Sequence, residues 1–576
     1  MDYRERYRRW MESPVIDKAT KDELAAIAHD EKELENRFFK DLEFGTGGLR
    51  GIIGAGSNRM NKYTVGRATQ GLANYIIKHG REAMDRGVVI AYDTRRMSKE
   101  FALETALVLN ANGIKVYLYN EMQPTPVLSF SVRELGAIAG IVITASHNPP
   151  AYNGYKVYWE DGGQIPPQRS EEIIKEVYAV KGFEEVKTIS REQAENQGLL
   201  NMIGQEVADR FIERVKSLSI NKQLIKEMGN QLKIVYTPLH GTGNKPVRRV
   251  LKELGFGNVM VVPEQEMPDP DFPTVKFPNP EEPEAFDLAI EMGRKHQADI
   301  IIGTDPDCDR VGVVVRGSDG EYIFLTGNQT GALLVNYILE ALQKQGKLAA
   351  DGVIIKTIVT SEMGREIAKS YGIDVVDTYT GFKFIGEKAK EFEETGDKTF
   401  LFGYEESFGY MAGNYVRDKD GVTASMLICE MAAYYKSRGM NLYDGLVELW
   451  RRFGYYHDAQ KSVILEGKEG MTRIKEIMED FRHNPPVQVC GKKVVTIQDY
   501  KELKAYYPEE DRSCSIDMPV PSDVLRYELE DGSWFAVRPS GTEPKIKLYF
   551  SIVREDLEDA KDSMDRFVNE VMARIL

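Results

Sequence analysis

The sequence predicts an α/β protein of several units, three α/β units followed by a C-terminal α+β unit. Three observations carry this expectation. The chain has 576 residues, and at roughly 150 residues per domain that makes three to four units, more chain than one apolar core can use. From residue 88 to about 455, short β-branched runs alternate with helical stretches, the pattern of mostly parallel sheets backed by helices. Beyond that the pattern turns to hairpin-like alternation closed by one helix, whose apolar residues fall at 557, 560, 564, 567, 568, 571 and 575. The expected units are 1–208, 209–325, 326–455 and 456–576.

Composition excludes several classes. Hydrophobic residues make up 42% and charged residues 29%, as in ordinary globular chains, and no apolar run approaches the roughly 18 residues of a membrane span. The opening M-D-Y-R-E-R-Y-R-R-W is too charged for a secretory leader. Cys308, Cys429, Cys490 and Cys514 are too scattered for a disulfide framework or a C-x-x-C zinc site, which fits a reducing, cytoplasmic setting. A net charge of −15 speaks against nucleic acid. A small anionic ligand must then be gripped by locally clustered Arg and Lys.

Taken in order, 21–40 reads as an amphipathic helix with Leu24, Ile27, Leu34 and Phe38 on one side, a packing arm. The stretch 44–51, F-G-T-G-G-L-R-G, lets backbone N–H groups approach a phosphate beside Arg50, although a plain turn fits it equally well. Then V-V-I-A-Y-D, a helix over 99–112 and K-V-Y-L-Y lead to a buried strand over 137–143 that stops at Ser146-His147. Pro149 and Pro150 forbid helix continuation and hold Ser146 in a fixed exposed loop, as a nucleophile is presented. Lys156 lies ten residues on, close enough to fold back over the serine or to sit solvated in a hairpin.

The second unit runs L-K-I-V-Y, a strand over 232–236, into H-G-T-G and a helix from near Lys245. Seven prolines between Pro263 and Pro283 predict an extended surface loop. Next, Asp305, Asp307 and Asp309 alternate between two strands; in an extended loop they point one way, and their repulsion is relieved by a bound cation, with hard oxygen ligands suiting Mg²⁺. In the third unit Lys383 follows the short strand V-V-D-T-Y, and Glu405, Glu406 and Ser407 end T-F-L-F-G-Y, a set suited to sugar hydroxyls. In the last unit a hairpin over 524–537 turns at Asp531-Gly532. Arg538, Ser540, Thr542 and the N–H groups around Gly541 then form a phosphate nest.

G-T-G-G-L-R, T-A-S-H-N-P, D-P-D-x-D-R, G-x-E-E-S and R-P-S-G-T-E-P thus follow one another between residues 45 and 545. This set resembles the α-D-phosphohexomutases, the phosphoglucomutase and phosphomannomutase superfamily. F-G-T-G-G-L-R-G and F-P-T-V-K-F-P-N-P-E look like its phosphoglucomutase/phosphopentomutase branch. The resemblance implies three related α/β domains with mixed sheets and a distinct fourth around a central cleft. It makes Ser146 a phosphoserine, with Asp305, Asp307 and Asp309 holding Mg²⁺ beside a Ser146 phosphate oxygen. Arg50, His147, Lys156 and Lys383 take positioning and acid–base roles, and Arg310, Glu405 and Ser407 meet the substrate. Arg538, Ser540, Gly541 and Thr542 grip the phosphate that is not being transferred. Cys308 departs from the smaller residue relatives often carry and leaves the three aspartates intact.

The implied reaction interconverts glucose 1-phosphate and glucose 6-phosphate through the 1,6-bisphosphate, with glucose 1,6-bisphosphate as activator and the protein a monomer or homodimer. Pentose or mannose phosphates are the alternatives. Glucose is expected because its equatorial 3- and 4-hydroxyls can meet Glu405 and Ser407 in both orientations of the bisphosphate.

Overall fold

The computed structural model describes residues 2–45, 47–465, 467–540 and 545–575. Its first sheet has the order β1 (Gly48–Ile52), β5 (Tyr152–Trp159), β4 (Ala139–Ile143), β2 (Val88–Tyr92), β3 (Val116–Tyr119), β6 (Leu200–Ile203). The four strands β4, β2, β3 and β6 run parallel, while β5 is antiparallel to both β4 and β1. Because side chains alternate along a strand, Val88 and Ile90 face the helices Lys62–Lys78 and Ser98–Ala111. Val89 and Ala91 face Val127 and Leu128 of the helix Thr125–Glu134, in an apolar cluster that continues through the second and third sheets. That shared core ties the units together.

The second sheet has the order β11 (Tyr322–Leu325), β10 (Val311–Arg316), β9 (Ile300–Thr304), β7 (Ile234–Thr237), β8 (Val259–Val261). The third has the order β13 (Asp374–Thr378), β12 (Gly352–Thr357), β14 (Thr399–Glu405), β15 (Gly409–Ala412). Both sheets are mixed, with β10 antiparallel to β9 and β15 antiparallel to β14. The last sheet is antiparallel and has eight strands, running from β16 (Tyr455–Ile464) through β23 (Lys545–Arg554), β22 (Trp534–Pro539) and β21 (Leu525–Leu529) to β18 (Lys492–Asp499), β19 (Lys504–Tyr507) and β20 (Arg512–Ser515), with β17 (Gln488–Val489) beside β18. The helix Leu557–Met572 covers it, and Ala560, Met564, Phe567, Val568, Val571 and Ile575 are buried as the stripe requires. The chain is therefore α/β with mixed sheets and a C-terminal α+β unit.

Four local readings are corrected. The arm at 21–40 is two helices, Lys18–Ala26 and Glu31–Phe38, because Asp30 caps the second by accepting from the Glu33 N–H at 3.0 Å. The proline-rich stretch is a surface loop only in part: it opens with the short helix Pro263–Glu266, and Gln265, Phe272 and Asn279 are buried while Met267 and Phe277 are exposed. The glycine loop serves close packing first. Gly48 has φ +140°, and a Cβ there would lie 1.7 Å from the Tyr155 carbonyl oxygen, so only glycine lets β1 pair with β5. Finally, the aspartate loop is a tight turn, as its hydrogen bonds show below.

Candidate active site

Ser146 stands just past the carboxyl end of β4, in the loop that returns as β5, and it is not exposed. It is 3% accessible, with φ +51° in the left-handed region that non-glycine residues avoid. Its N–H donates to Thr144 Oγ1 at 2.8 Å. Its hydroxyl donates to Asp305 Oδ2 at 2.7 Å and meets His147 Nδ1 at 3.2 Å. The candidate nucleophile of the first sheet and the first aspartate of the second are thus in direct contact.

The aspartate turn explains this convergence. Cys308 N–H donates to the Asp305 carbonyl at 2.9 Å and Cys308 adopts φ +52°, while Asp305 Oδ1 accepts the N–H groups of Asp309 (3.0 Å) and Arg310 (3.1 Å). The loop closes on its own first carboxylate, and oxygens of all three aspartates lie within 4.8 Å of one another, each residue fully buried. Curvature, rather than extended alternation, brings them together. Asp307 is satisfied on one side: Lys156 Nζ lies 2.9 Å from Oδ2, and Thr125, at the start of the helix Thr125–Glu134, donates its hydroxyl at 2.9 Å. Burial raises the Asp307 carboxyl, and Lys156 outweighs it, leaving the group well below the ordinary range. Asp305 is the opposite case, since burial and then the charges of Asp307 and Asp309 hold it well above that range.

The set fits a divalent hard cation. Asp307 Oδ1 and Asp309 Oδ1 are buried and find no hydrogen-bond donor among the described residues. Among those residues the three carboxylates face only Lys156 and Lys419 as ammonium partners within 3.5 Å. A small 2+ ion would supply the missing charge and could engage those two oxygens.

Around this centre the cations are arranged by the neighbouring strands. Lys156 belongs to β5 and is largely buried rather than solvated in a hairpin; burial would lower it, and the Asp307 and Asp309 carboxylates raise it instead. Arg50, on β1 opposite Gly154, donates to Asn148 Oδ1 at 3.1 Å and so reaches the Ser146 loop. His147 is held well below its ordinary value, first by burial and then by the Arg310 and Arg50 charges. Arg310 is paired with Glu281 and runs antiparallel to Gly409, which draws the Glu405 loop against the aspartate turn.

Glu405 ends β14 and is 5% exposed; burial pushes its carboxyl up to about 7 against the opposing charges of Lys419 and Arg310. Ser407 hydrogen-bonds the same carboxylate. Lys383 is the second residue of the helix Phe382–Thr395, and burial lowers its ammonium to about 8. The Phe382 ring beside it lies 5.5 Å from Lys419 Nζ. Arg538 lies near the end of β22, and Ser540 just beyond it donates its N–H to the Lys545 carbonyl at 2.8 Å. Gly541 and Thr542 lie outside the described residues.

Three contributors were missed in the sequence. Lys419 sits 3.2 Å from both Asp309 and Asp418, and Asp418 accepts from Tyr158 of the first sheet at 2.6 Å. The D-K-D cluster after β15 was its signal. Thr125 had none, because its contact is purely tertiary. Arg95, the last residue of the motif Y-D-T-R at the carboxyl end of β2, is buried among the carbonyls of the Ser146 loop; the strand-end rule would have found it.

Comparison with known proteins gives matches over the whole of this framework. The four models of phosphoglucomutase/phosphomannomutase match in order: alpha/beta/alpha domain I at 41–182, domain II at 209–319, domain III at 326–453 and the C-terminal domain at 487–568. A phosphoglucomutase of Staphylococcus haemolyticus (strain JCSC1435) is 38% identical over 552 residues, 95% of this chain and 97% of that protein. A phosphoglucomutase of Staphylococcus aureus (strain MRSA252) is 36% identical over 563 residues, 97% of this chain and 98% of that one. Among solved structures, the open form of pp63/parafusin from Paramecium superposes with a TM-score of 0.70 at 18% identity, covering 93% of this chain and 94% of that chain. A phosphomannomutase structure from Thermus thermophilus gives 0.67 at 22% identity, covering 93% and 99%. At those identities the structures speak for the fold alone.

Proposed function

The chain belongs to the phosphoglucomutase/phosphomannomutase family, and from that premise we propose that it is a phosphoglucomutase, interconverting glucose 1-phosphate and glucose 6-phosphate. The observation that carries the chemistry is the 2.7 Å contact between Ser146 Oγ and Asp305 Oδ2, at the edge of three buried, converging aspartates. The near full-length relatives named phosphoglucomutase support the choice of sugar.

In this reading Ser146 carries the phosphoryl group. It gives the group to the free 6- or 1-hydroxyl of the sugar monophosphate, the resulting glucose 1,6-bisphosphate turns over in the cleft, and Ser146 Oγ takes back the other phosphate. Free glucose 1,6-bisphosphate then acts as activator by phosphorylating an empty serine. Asp305, Asp307 and Asp309 would hold Mg²⁺, which when bound would neutralise charge on the transferring group. Arg50 and Lys156 face the same oxygens. His147, 3.2 Å from Ser146 Oγ, and Lys383 take the acid–base roles in this reading, and a lysine lowered to about 8 is suited to exchange a proton near neutral pH. Glu405 and Ser407 accept from sugar hydroxyls beside Arg310, and Arg538, Ser540, Gly541 and Thr542 hold the distal phosphate. The division at 1–208, 209–325, 326–455 and 456–576 belongs to the same proposal, supported by one sheet in each range.

Turnover of glucose 1-phosphate, ribose 1-phosphate and mannose 1-phosphate, measured side by side with free phosphate, tests the reading. The highest specificity constant should go to glucose 1-phosphate, with no phosphate released. A higher constant for ribose 1-phosphate would make the protein a phosphopentomutase, and stoichiometric phosphate release would make it a phosphatase.

A further inference from the structure

We propose, resting on the reaction above, that Arg95 is a positioning residue that locks the Ser146 loop in its left-handed conformation, backed by Phe272 from the second unit. The loop has to be held, because φ +51° at a serine costs free energy that local sequence does not return. Arg95 supplies the restraint. Its Nη1 donates to the carbonyls of Pro149 (2.9 Å) and Tyr152 (3.1 Å), and its Nη2 donates to those of Ser146 and Asn148. One guanidinium therefore closes the loop from 146 to 152 on a single point.

The guanidinium is itself fixed from two sides. Asp93 lies 3.4 Å from its Nε, accepts the Arg95 N–H at 2.9 Å, and accepts the Thr144 hydroxyl at 2.6 Å, the same hydroxyl that receives the Ser146 N–H. From the second unit, the buried Phe272 ring lies 5.0 Å from Arg95 Cζ. Neighbouring Arg96 and Asp271 form an ion pair across the same junction. Phe272 also sits at φ +47°, held in place by the proline-rich loop. Four N–H donors of Arg95 go to carbonyls, and the fifth, on Nε, is buried 3.4 Å from Asp93 without making a hydrogen bond, so none is turned to a substrate and Arg95 acts through Ser146. A lysine keeps the charge but lacks the planar fork that spans these carbonyls.

Wild type, Arg95→Lys and Phe272→Leu are compared by hydrogen exchange over 144–152, by the rate at which glucose 1,6-bisphosphate phosphorylates Ser146 (intact mass), and by kcat and KM for glucose 1-phosphate. Both variants should exchange faster in that segment. Phosphorylation and kcat should fall together, by ~10²-fold in Arg95→Lys and by roughly 5-fold in Phe272→Leu, with KM unchanged. Unaltered exchange over 144–152, or a raised KM with kcat intact, would overturn the proposal. If Arg95→Lys does not fold, Phe272→Leu decides alone. If wild type neither takes up phosphate nor turns over glucose 1-phosphate, the mutase reading falls, while the exchange data still decide whether Arg95 holds the loop.

Discussion

Glu405 and Lys383 are two candidate site residues whose burial moves them toward neutral pH, and each gives a measurable consequence. Lys383 is lowered from the ordinary 10.5 to about 8 by burial, and both as a cation and as a proton donor it needs its proton. The specificity constant should therefore decline above pH about 8, and Lys383→Arg should move that alkaline limb upward. A limb that stays in place would assign it to another group. The stability consequence has the opposite sign: the folded state disfavours the proton, so Lys383 weakens folding below pH about 8, and that loss is recovered as pH rises toward 10.5. In the proposed sugar site, weakening the Glu405 acceptor would leave sugar hydroxyls poorly paired, at a cost of about 1–3 kcal/mol, roughly 5- to 150-fold in rate. Glu405→Gln should lose turnover in that range while Ser146 is still phosphorylated in part by added bisphosphate; an unchanged turnover would remove Glu405 from the sugar site.

At the scale of the element, the aspartate turn behaves as three unequal carboxylates. Asp307 is held by Lys156 and Thr125, so Asp307→Ala leaves buried donors unpaired and should cost about 1–3 kcal/mol of stability even without metal. Asp305 is the strained member. Asp305→Asn keeps the Oδ1 acceptor of the turn and removes a charge, so thermal unfolding in chelator should show no loss of stability while Mg²⁺ no longer stabilises the protein. Equal losses in the two variants would contradict this division. Such inequality was not legible in the sequence. The motif D-P-D-C-D-R announced a cation site, but the positive φ of Cys308 and the donors from another sheet appear only in the folded chain. The same holds for Ser146: the apolar run and two prolines indicated a strand-end loop, whereas the burial of that serine depends on Arg95, Asp305 and the proline-rich loop arriving from elsewhere. Lys383 and Glu405 were visible because strand ends in α/β units are where ligands gather, and Lys156 because it follows the serine by ten residues.

For the whole molecule, the third sheet and the C-terminal sheet are joined by a charge network. Glu362 accepts from Lys356 at 3.1 Å and from Arg526 of β21 at 3.0 Å, and the Tyr379 hydroxyl near Lys383 donates to the Val520 carbonyl at 2.7 Å. Burial would raise Glu362, but Lys356, Arg526 and Arg365 bring it from 4.5 down to about 2. The folded value lies below the unfolded one, so the stabilisation is complete above pH 4.5 and is lost as pH falls toward 2. Acid unfolding should be less steep in that window in Glu362→Gln; identical curves would show that the network does not join the units. The unit count and the change of pattern near 456 were legible from periodicity, since each sheet writes its own alternation. The joins were not, because they are made by single buried charges. The phosphoryl transfer proposed at Ser146 can be followed directly. Enzyme carrying radiolabelled phosphate on Ser146 is mixed with unlabelled glucose 1-phosphate and quenched within one turnover. Label should leave the protein, appear in glucose 1,6-bisphosphate and glucose 6-phosphate, and be absent from inorganic phosphate, while Ser146→Ala takes up no label and loses at least ~10³-fold in rate. Label released as inorganic phosphate, or near-normal turnover by Ser146→Ala, would contradict a phosphoserine mutase.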